Sequence, residues 1–286
     1  MPGALKPFEY VEATDVEQAA GILSKWGVRA KVLAGGVGLV DDMRRRVVTP
    51  ECVVSIRNIA GLGHITGDGK GGLRIGSMAT MRAIEQYESV RTDYLPLYEA
   101  VHHVPSPQVK NMATLVGNLC IASPASDVAP PLIAFGAELK IAGPGRTRSI
   151  PVESFFLGVN RTALGPGELV SEISVPAVGP GTGGAFLRLA RIVTDVAKLN
   201  VAVVLRMSGD TCQDARIALG AVAPTPIRAR KSEEILKGQK LDHDRIAAAA
   251  KAASGEATPI TDIRSTAEYR REMVALLVEK ALNAAL

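Results

Sequence analysis

Aromatic residues make up only 4% of the 286-residue chain, so its interior has to be built from Ala, Val, Leu and Ile. The apolar fraction of 47% is enough for a substantial core. The formal net charge is only +4, and the basic residues do not cluster with interleaved aromatics, which excludes a nucleic-acid-binding surface. Three cysteines, Cys52, Cys120 and Cys212, lie far apart and never in a C-x-x-C pair, which excludes a disulfide framework or a thiolate cluster made by this chain alone. They read as small, partly buried thiols. Of the four histidines, His102 and His103 are adjacent and point in different directions; with His64 and His243 they read as surface or helix-end residues, and no metal site is expected. No apolar run approaches the roughly 18 residues of a membrane span, and the first twenty residues lack a signal-type apolar core. The expectation is a soluble, cytoplasmic protein. No internal repeat or low-complexity tract is present, and no catalytic acid, base or nucleophile stands out.

What is present is an alternation of short strands and helices. "TDVEQAAGILSKWG" reads as a helix, with Thr14 and Glu17 as a capping box, Val16, Ala19, Ala20, Leu23 and Trp26 on one face, and Gly27 as its stop. "RAKVLAGG" reads as a strand running into glycines, "DDMRRR" as the opening of a helix with a solvated basic face, and "ECVVSI" and "GGLRIGS" as strands. "MATMRAIEQY" and "YLPLYEAVHHV" read as helices. Asp127 could cap a short helix carrying Pro130 and Pro131 in its first turn. "AVGPGTGGA", residues 177–185, is the best domain boundary. Beyond it, "LNVAVVLRMSG" and "DARIALGAV" read as antiparallel strands joined at Gly209-Asp210, followed by a helical tail.

Two segments could cradle a diphosphate through backbone N–H groups. Glycine allows a positive φ and a close approach there. The first is Val32, Leu33, Ala34, Gly35, Gly36, Val37, Gly38 and Leu39; the second is Thr114 to Asn118, "TLVGN". The dinucleotide fingerprint G-x-G-x-x-G fails, because its third position is Asp41 and a helix precedes the strand. The phosphate P-loop is excluded, since no G-K-[ST] follows. By itself the first segment is as compatible with a tight strand-to-helix turn as with a ligand site.

"LAGGVGLVDDMRRRVVTPECVVSIRNIAGL" resembles the first flavin loop of the FAD-binding, medium subunits of molybdenum hydroxylases, the family of the carbon monoxide dehydrogenase and xanthine dehydrogenase flavin subunits, where A-G-G-T-[DS]-L is usual. "PQVKNMATLVGNLCIASPASDVAPPLIAFGAEL" resembles the second loop, usually A-T-[IV]-G-G-N-[IL] followed by A-S-P-x-[GS]-D. The resemblance continues through "FFLGVNRTALGPGELVSEISVP", "AFLRLARIVTDVAKLNVAVVL", "RIALGAVAPTPIRA" and "EYRREMVALLVEKAL", covering almost the whole chain in order.

The resemblance implies an α+β fold. Residues 1–176 would form a two-subdomain FAD-binding domain of the vanillyl-alcohol-oxidase/p-cresol-methylhydroxylase type, with subdomains of about 1–57 and 58–176, and residues 177–286 a C-terminal domain of antiparallel sheet and helices. It implies FAD held by the first loop on one side and by Thr114, Leu115, Val116, Gly117 and Asn118 on the other. Ser123 and Asp127 would hydrogen-bond the cofactor, Val170 would pack near the flavin, Leu187 and Asp195 would lie on the stretch bordering it, and Val104 would complete the set. Val37 replaces the usual Thr, Gly38 an Asp or Ser, Val116 a glycine, and Leu187 a common lysine; a positive φ at Val116 would be strained. The implied partners are a large molybdopterin-binding subunit and a small [2Fe-2S] subunit, in a dimer of heterotrimers. The implied role is electron transfer to an external acceptor. Two other readings stay open on the sequence, a flavin-poor scaffold subunit and a stand-alone flavin reductase of the same superfamily.

Overall fold

The computed structural model describes residues 5–67 and 69–286. The first unit alternates strand and helix: β1 (Glu9–Glu12), α1 (Val16–Trp26), β2 (Ala30–Leu33), α2 (Val37–Arg44) and β3 (Cys52–Ser55). The three strands form a parallel sheet in the order β1-β3-β2. All four residues of β3 are buried, as expected of a central strand covered on both faces. Helix α1 buries Ala19, Ala20 and Leu23 and ends where Gly27 takes φ 56° and returns its N–H to the Leu23 carbonyl. Its cap is one residue later than the sequence suggests. Asp15 accepts from the Gln18 N–H at 2.7 Å, Gln18 Oε1 accepts in turn from the Thr14 N–H at 2.7 Å, and Glu17 is left to accept from the Gly145 N–H.

The second unit begins with β4 (Ile65–Gly67) and β5 (Leu73–Gly76) and continues through six short helices: α3 (Met81–Gln86), α4 (Glu88–Asp93), α5 (Leu95–His102), α6 (Pro107–Met112), α7 (Leu115–Ile121) and α8 (Ala129–Ala134). It closes with β6 (Glu138–Gly143), β7 (Arg146–Pro151), the small hairpin β8 (Phe156–Gly158) and β9 (Arg161–Thr162), and β10 (Leu169–Val175). The five-stranded sheet β4-β5-β10-β6-β7 is antiparallel. All six residues of α8, "APPLIA", are buried; its two prolines fall at positions whose N–H groups have no intrahelical partner to lose.

The third unit holds β11 (Thr182–Leu189), β12 (Leu199–Ser208), β13 (Thr211–Gly220), β14 (Ile227–Arg228), α9 (Arg230–Leu236), α10 (His243–Glu256) and α11 (Ala267–Ala285). Its sheet is antiparallel in strand order, and the turn at Gly209, φ 60°, lies where the sequence places it. The near-continuous apolar run of β12 has a physical cause. Val201, Val203 and Leu205 pack into a core with α9–α11, while Ala202 on the other face joins the core of the second unit with Phe186 and Ala218. The sheet is thus buried on both sides, and α5 and α8 lie against it. No helix among the described residues is long and apolar enough to cross a membrane.

One buried charge cluster anchors the second unit. The Glu168 side chain is 2% exposed and accepts from Arg148 Nε at 3.0 Å, Arg148 Nη2 at 2.7 Å, Arg146 Nη2 at 3.2 Å and the Gly165 N–H at 2.7 Å. The Arg148 guanidinium is the main cause that holds its carboxyl at about 2, below the ordinary 4.5. A depressed folded-state value gives stability that is complete above pH 4.5 and lost as the pH falls toward 2. The urea midpoint of the wild type should fall across that window. Glu168→Gln should lower stability at neutral pH by about 3 kcal/mol, and it should flatten the acid limb of a pH series of urea titrations.

Candidate functional site

The first glycine segment is the junction between β2 and α2. The helix opens at Val37, four residues before the expected Asp41, so Val37, Gly38 and Leu39 form its first turn. Their N–H groups have no protein acceptor among the described residues, as expected of a helix N-terminus. The three glycines have separate reasons. Gly36 is the N-cap at φ 81°, where a side chain is strained. A Cβ on Gly35 would collide with the carbonyl oxygen of Met112, and one on Gly38 would stand 2.6 Å from Ile121 Cδ1. These two glycines therefore admit the second loop itself, not a ligand, to close range. Val37 is exposed, with 41% of the residue accessible.

The second segment is the N-terminus of α7. Thr114 caps it, its hydroxyl accepting from the Gly117 N–H at 3.0 Å, so this oxygen serves the helix first. A Cβ on Gly117 would lie 2.7 Å from that same hydroxyl. The Leu115 N–H is taken by the Ala79 carbonyl, whereas the Val116 N–H has no protein acceptor among the described residues. Val116 lies within the helix with no positive φ, so the strain expected of a β-branched residue there is absent. Asn118 Oδ1 accepts from Ser126 Oγ at 2.6 Å, which turns its amide nitrogen away from that contact and leaves it available as a donor.

Asp127 does not cap α8. Val128 occupies that position, and Ser126 Oγ accepts from the Ala129 N–H. The Asp127 carboxylate is shared by two donors from the C-terminal sheet, Arg188 Nε at 3.0 Å and Asn200 Nδ2 at 2.7 Å. Arg188 and Asn200 are direct partners in the β11–β12 register. Arg188 also donates to the carbonyls of Val193 and Asp195, and Asn200 to that of Ser126. Burial pushes the Asp127 carboxyl up and the Arg188 charge opposes it. Beside them, burial lowers the His103 imidazole and the Arg188 charge adds to that, favouring the neutral ring. Ser123 accepts from the Ala125 N–H at 3.3 Å.

The remaining expected positions are more remote in role. Val170 is a buried member of the central core and Val104 packs against that core. Leu187 faces the opposite side of β11 from Arg188, into the C-terminal core. Arg188, the neighbouring residue on the other face, carries a cation that is paired with Asp127. Asp195 is paired with Arg191 at 2.6 Å in an exposed loop. Sequence reasoning missed Arg57, Arg188 and Asn200; the last two carried one signal, a charged and an amide residue inside otherwise apolar strands. Cys52 and Cys212 are buried but Cys120 is exposed, and no metal-holding group of His, Cys, Asp and Glu occurs among the described residues.

The family described as "FAD binding domain in molybdopterin dehydrogenase" matches residues 6–178, and the "CO dehydrogenase flavoprotein C-terminal domain" matches residues 184–285. The chain belongs to this family, the FAD-binding subunits of molybdenum-containing oxidoreductases. It is 36% identical to the carbon monoxide dehydrogenase medium chain of Hydrogenophaga pseudoflava over 97% of this chain and 96% of that one. It is 28% identical to the xanthine dehydrogenase FAD-binding subunit of Escherichia coli O157:H7 over 96% and 95%. Among solved structures, carbon monoxide dehydrogenase from H. pseudoflava superimposes with a TM-score of 0.96, covering 99% of this chain and 98% of that one. Quinoline 2-oxidoreductase from Pseudomonas putida 86 follows at 0.92 with 28% identity, covering 99% and 98%.

Three substitutions, one of them a control, test this packing. Gly35→Ala should force the loops apart and cost about 1–3 kcal/mol, whereas Gly63→Ala, with nothing within 4 Å and no positive φ, should stay within about 0.5 kcal/mol of wild type in the same urea titration. Arg188→Met leaves a partly buried carboxylate with Asn200 as its one remaining donor and should cost about 2 kcal/mol by denaturant unfolding.

Proposed function

We propose that this chain holds FAD with its diphosphate between the turn at residues 34–39 and the N-terminus of α7. In this reading it is the electron-transfer subunit of a molybdenum hydroxylase, standing between the iron–sulfur clusters of a small subunit and an external acceptor. The observation that carries the reading is the close approach of Gly35 to Met112, two residues before the cap of α7, together with N–H groups at Val37, Gly38, Leu39 and Val116 that have no protein acceptor among the described residues. Such groups suit an anion without needing a lysine or arginine. When bound, FAD supplies both one- and two-electron chemistry, and the protein supplies position and electrostatics.

The chain's own residues divide the work of binding. The helix-end N–H groups meet phosphate oxygens, and the Asn118 amide adds a side-chain donor. Each Asp127 oxygen accepts one protein donor and keeps a lone pair for a cofactor hydroxyl, with Ser123 nearby in sequence for the same purpose. Val104 and Val170 support the site from the core behind it, and Leu187 fixes β11 so that Arg188 and Phe186 face the second unit. We assign residues 1–176 to a FAD-binding domain of the vanillyl-alcohol-oxidase/p-cresol-methylhydroxylase type, with subdomains of about 1–57 and 58–176, and residues 177–286 to the C-terminal domain. The partners proposed are a large molybdopterin-binding subunit and a small [2Fe-2S] subunit, as a dimer of heterotrimers.

The purified chain should take up FAD, show an oxidised-flavin visible spectrum, and release FAD rather than FMN or riboflavin on denaturation. A chain that stays colourless and FAD-free after incubation with excess FAD would sink the proposal.

A further inference from the structure

Arg57 follows β3, outside both glycine segments, yet its side chain is committed to the first of them. Its Nε donates to the carbonyl of Ala34 at 2.8 Å and its Nη2 to the carbonyl of Gly35 at 2.9 Å. The two bonds use the planar fork of the guanidinium, which a lysine cannot reproduce. In a trans peptide the C=O and the following N–H point in opposite directions. Holding the carbonyls of residues 34 and 35 on the Arg57 side therefore turns the N–H groups of Gly35 and Gly36 to the other side. Neither of these has a protein acceptor among the described residues. With Val37, Gly38 and Leu39 they make five consecutive N–H groups, 35–39, left for something other than protein. A cation on a carbonyl also polarises the peptide and strengthens its N–H as a donor.

We propose that Arg57 is a positioning residue for the diphosphate of FAD: it grips the back of the first glycine turn and so aims the N–H groups of Gly35 and Gly36 at the phosphate oxygens. This rests on the FAD reading above. It explains how an eight-residue segment with three glycines keeps one conformation, since Gly36 at φ 81° has no side chain to hold it. It also assigns a task to a charged, exposed side chain that no sequence motif singles out.

The test compares wild type, Arg57→Met and Arg57→Lys in the full chain, with FAD affinity read by titration and the bound diphosphate read by 31P NMR at saturating FAD. Arg57→Met should bind FAD about tenfold more weakly, the loss expected for two charge-assisted hydrogen bonds organising one turn. Its 31P resonances should shift while the visible flavin spectrum stays as in wild type. Arg57→Lys, which keeps the charge and the fold but not the fork, should fall between the two. FAD affinity within twofold of wild type in Arg57→Met would overturn the proposal. So would weaker binding with unmoved 31P resonances, which would mean a general structural role. A wild-type chain that takes up no FAD would instead overturn the parent reading, and this inference with it.

Discussion

The distance between two backbones, at Gly35 and at the carbonyl of Met112, sets the geometry of everything around the site. No side chain can stand between them, because even a methyl group on Gly35 would overlap that oxygen. Closeness here places the first turn of α2 beside α7, and Gly38 extends the contact to Ile121. The result is that the N-terminus of α2 lies against the segment that leads into α7. Neither end is strong alone. Each leaves N–H groups without a protein acceptor among the described residues, partial positive charge made from peptide groups that costs no desolvated cation.

The second constraint runs between the two halves of the molecule. Asp127 is partly buried and has to be satisfied, and it is satisfied from the C-terminal sheet by Arg188 and Asn200. Asn200 and Ser126 carry the connection on to Asn118 in α7. The C-terminal unit is therefore more than a neighbour packed by apolar contact. Asn200 holds the Ser126 carbonyl and the Ser126 hydroxyl holds Asn118 Oδ1, so the C-terminal unit is linked through Ser126 to an amide in the second glycine loop. The apolar seam of Phe186, Ala202 and Ala218 gives adhesion without direction, while the polar chain at its end gives register.

How much of this the sequence disclosed depended on range. The helix after Thr14, strand β3, the β12–β13 hairpin and the helical tail are written in local periodicity and turn residues, and were legible. The cap at Asp15 was missed by one position because Thr14, Asp15, Glu17 and Gln18 offer two overlapping boxes, and only the tertiary contact of Glu17 with Gly145 decides between them. The two loops were legible as a pair, but the cause of their glycines was not: collision with Met112 or Ile121 is a fact about residues some eighty positions away. Arg57 was invisible for the same reason, and Arg188 and Asn200 showed only as polar residues inside apolar strands, since each acts on a partner from another element.

The departures from the family's usual loops acquire a physical meaning in this light. A threonine hydroxyl at 37 would add one donor at the first helical position, where the backbone N–H already points outward; Val37 leaves that N–H in place. A glycine at 116 would add conformational freedom that a helical residue does not use; Val116 instead buries its side chain, leaving 5% exposed, and restricts the unfolded chain. Leu187 is partly buried and packs against the C-terminal core, which is why an aliphatic residue suits that face of β11, while the charge of Arg188 lies on the other face and pairs with Asp127. In each case the path of the backbone is kept: Val37 and Val116 lie in helices, and Leu187 stays in the β11 ladder. A site built from main-chain donors tolerates such substitutions, because what it requires of the sequence is the path of the chain rather than the chemistry of any one side chain.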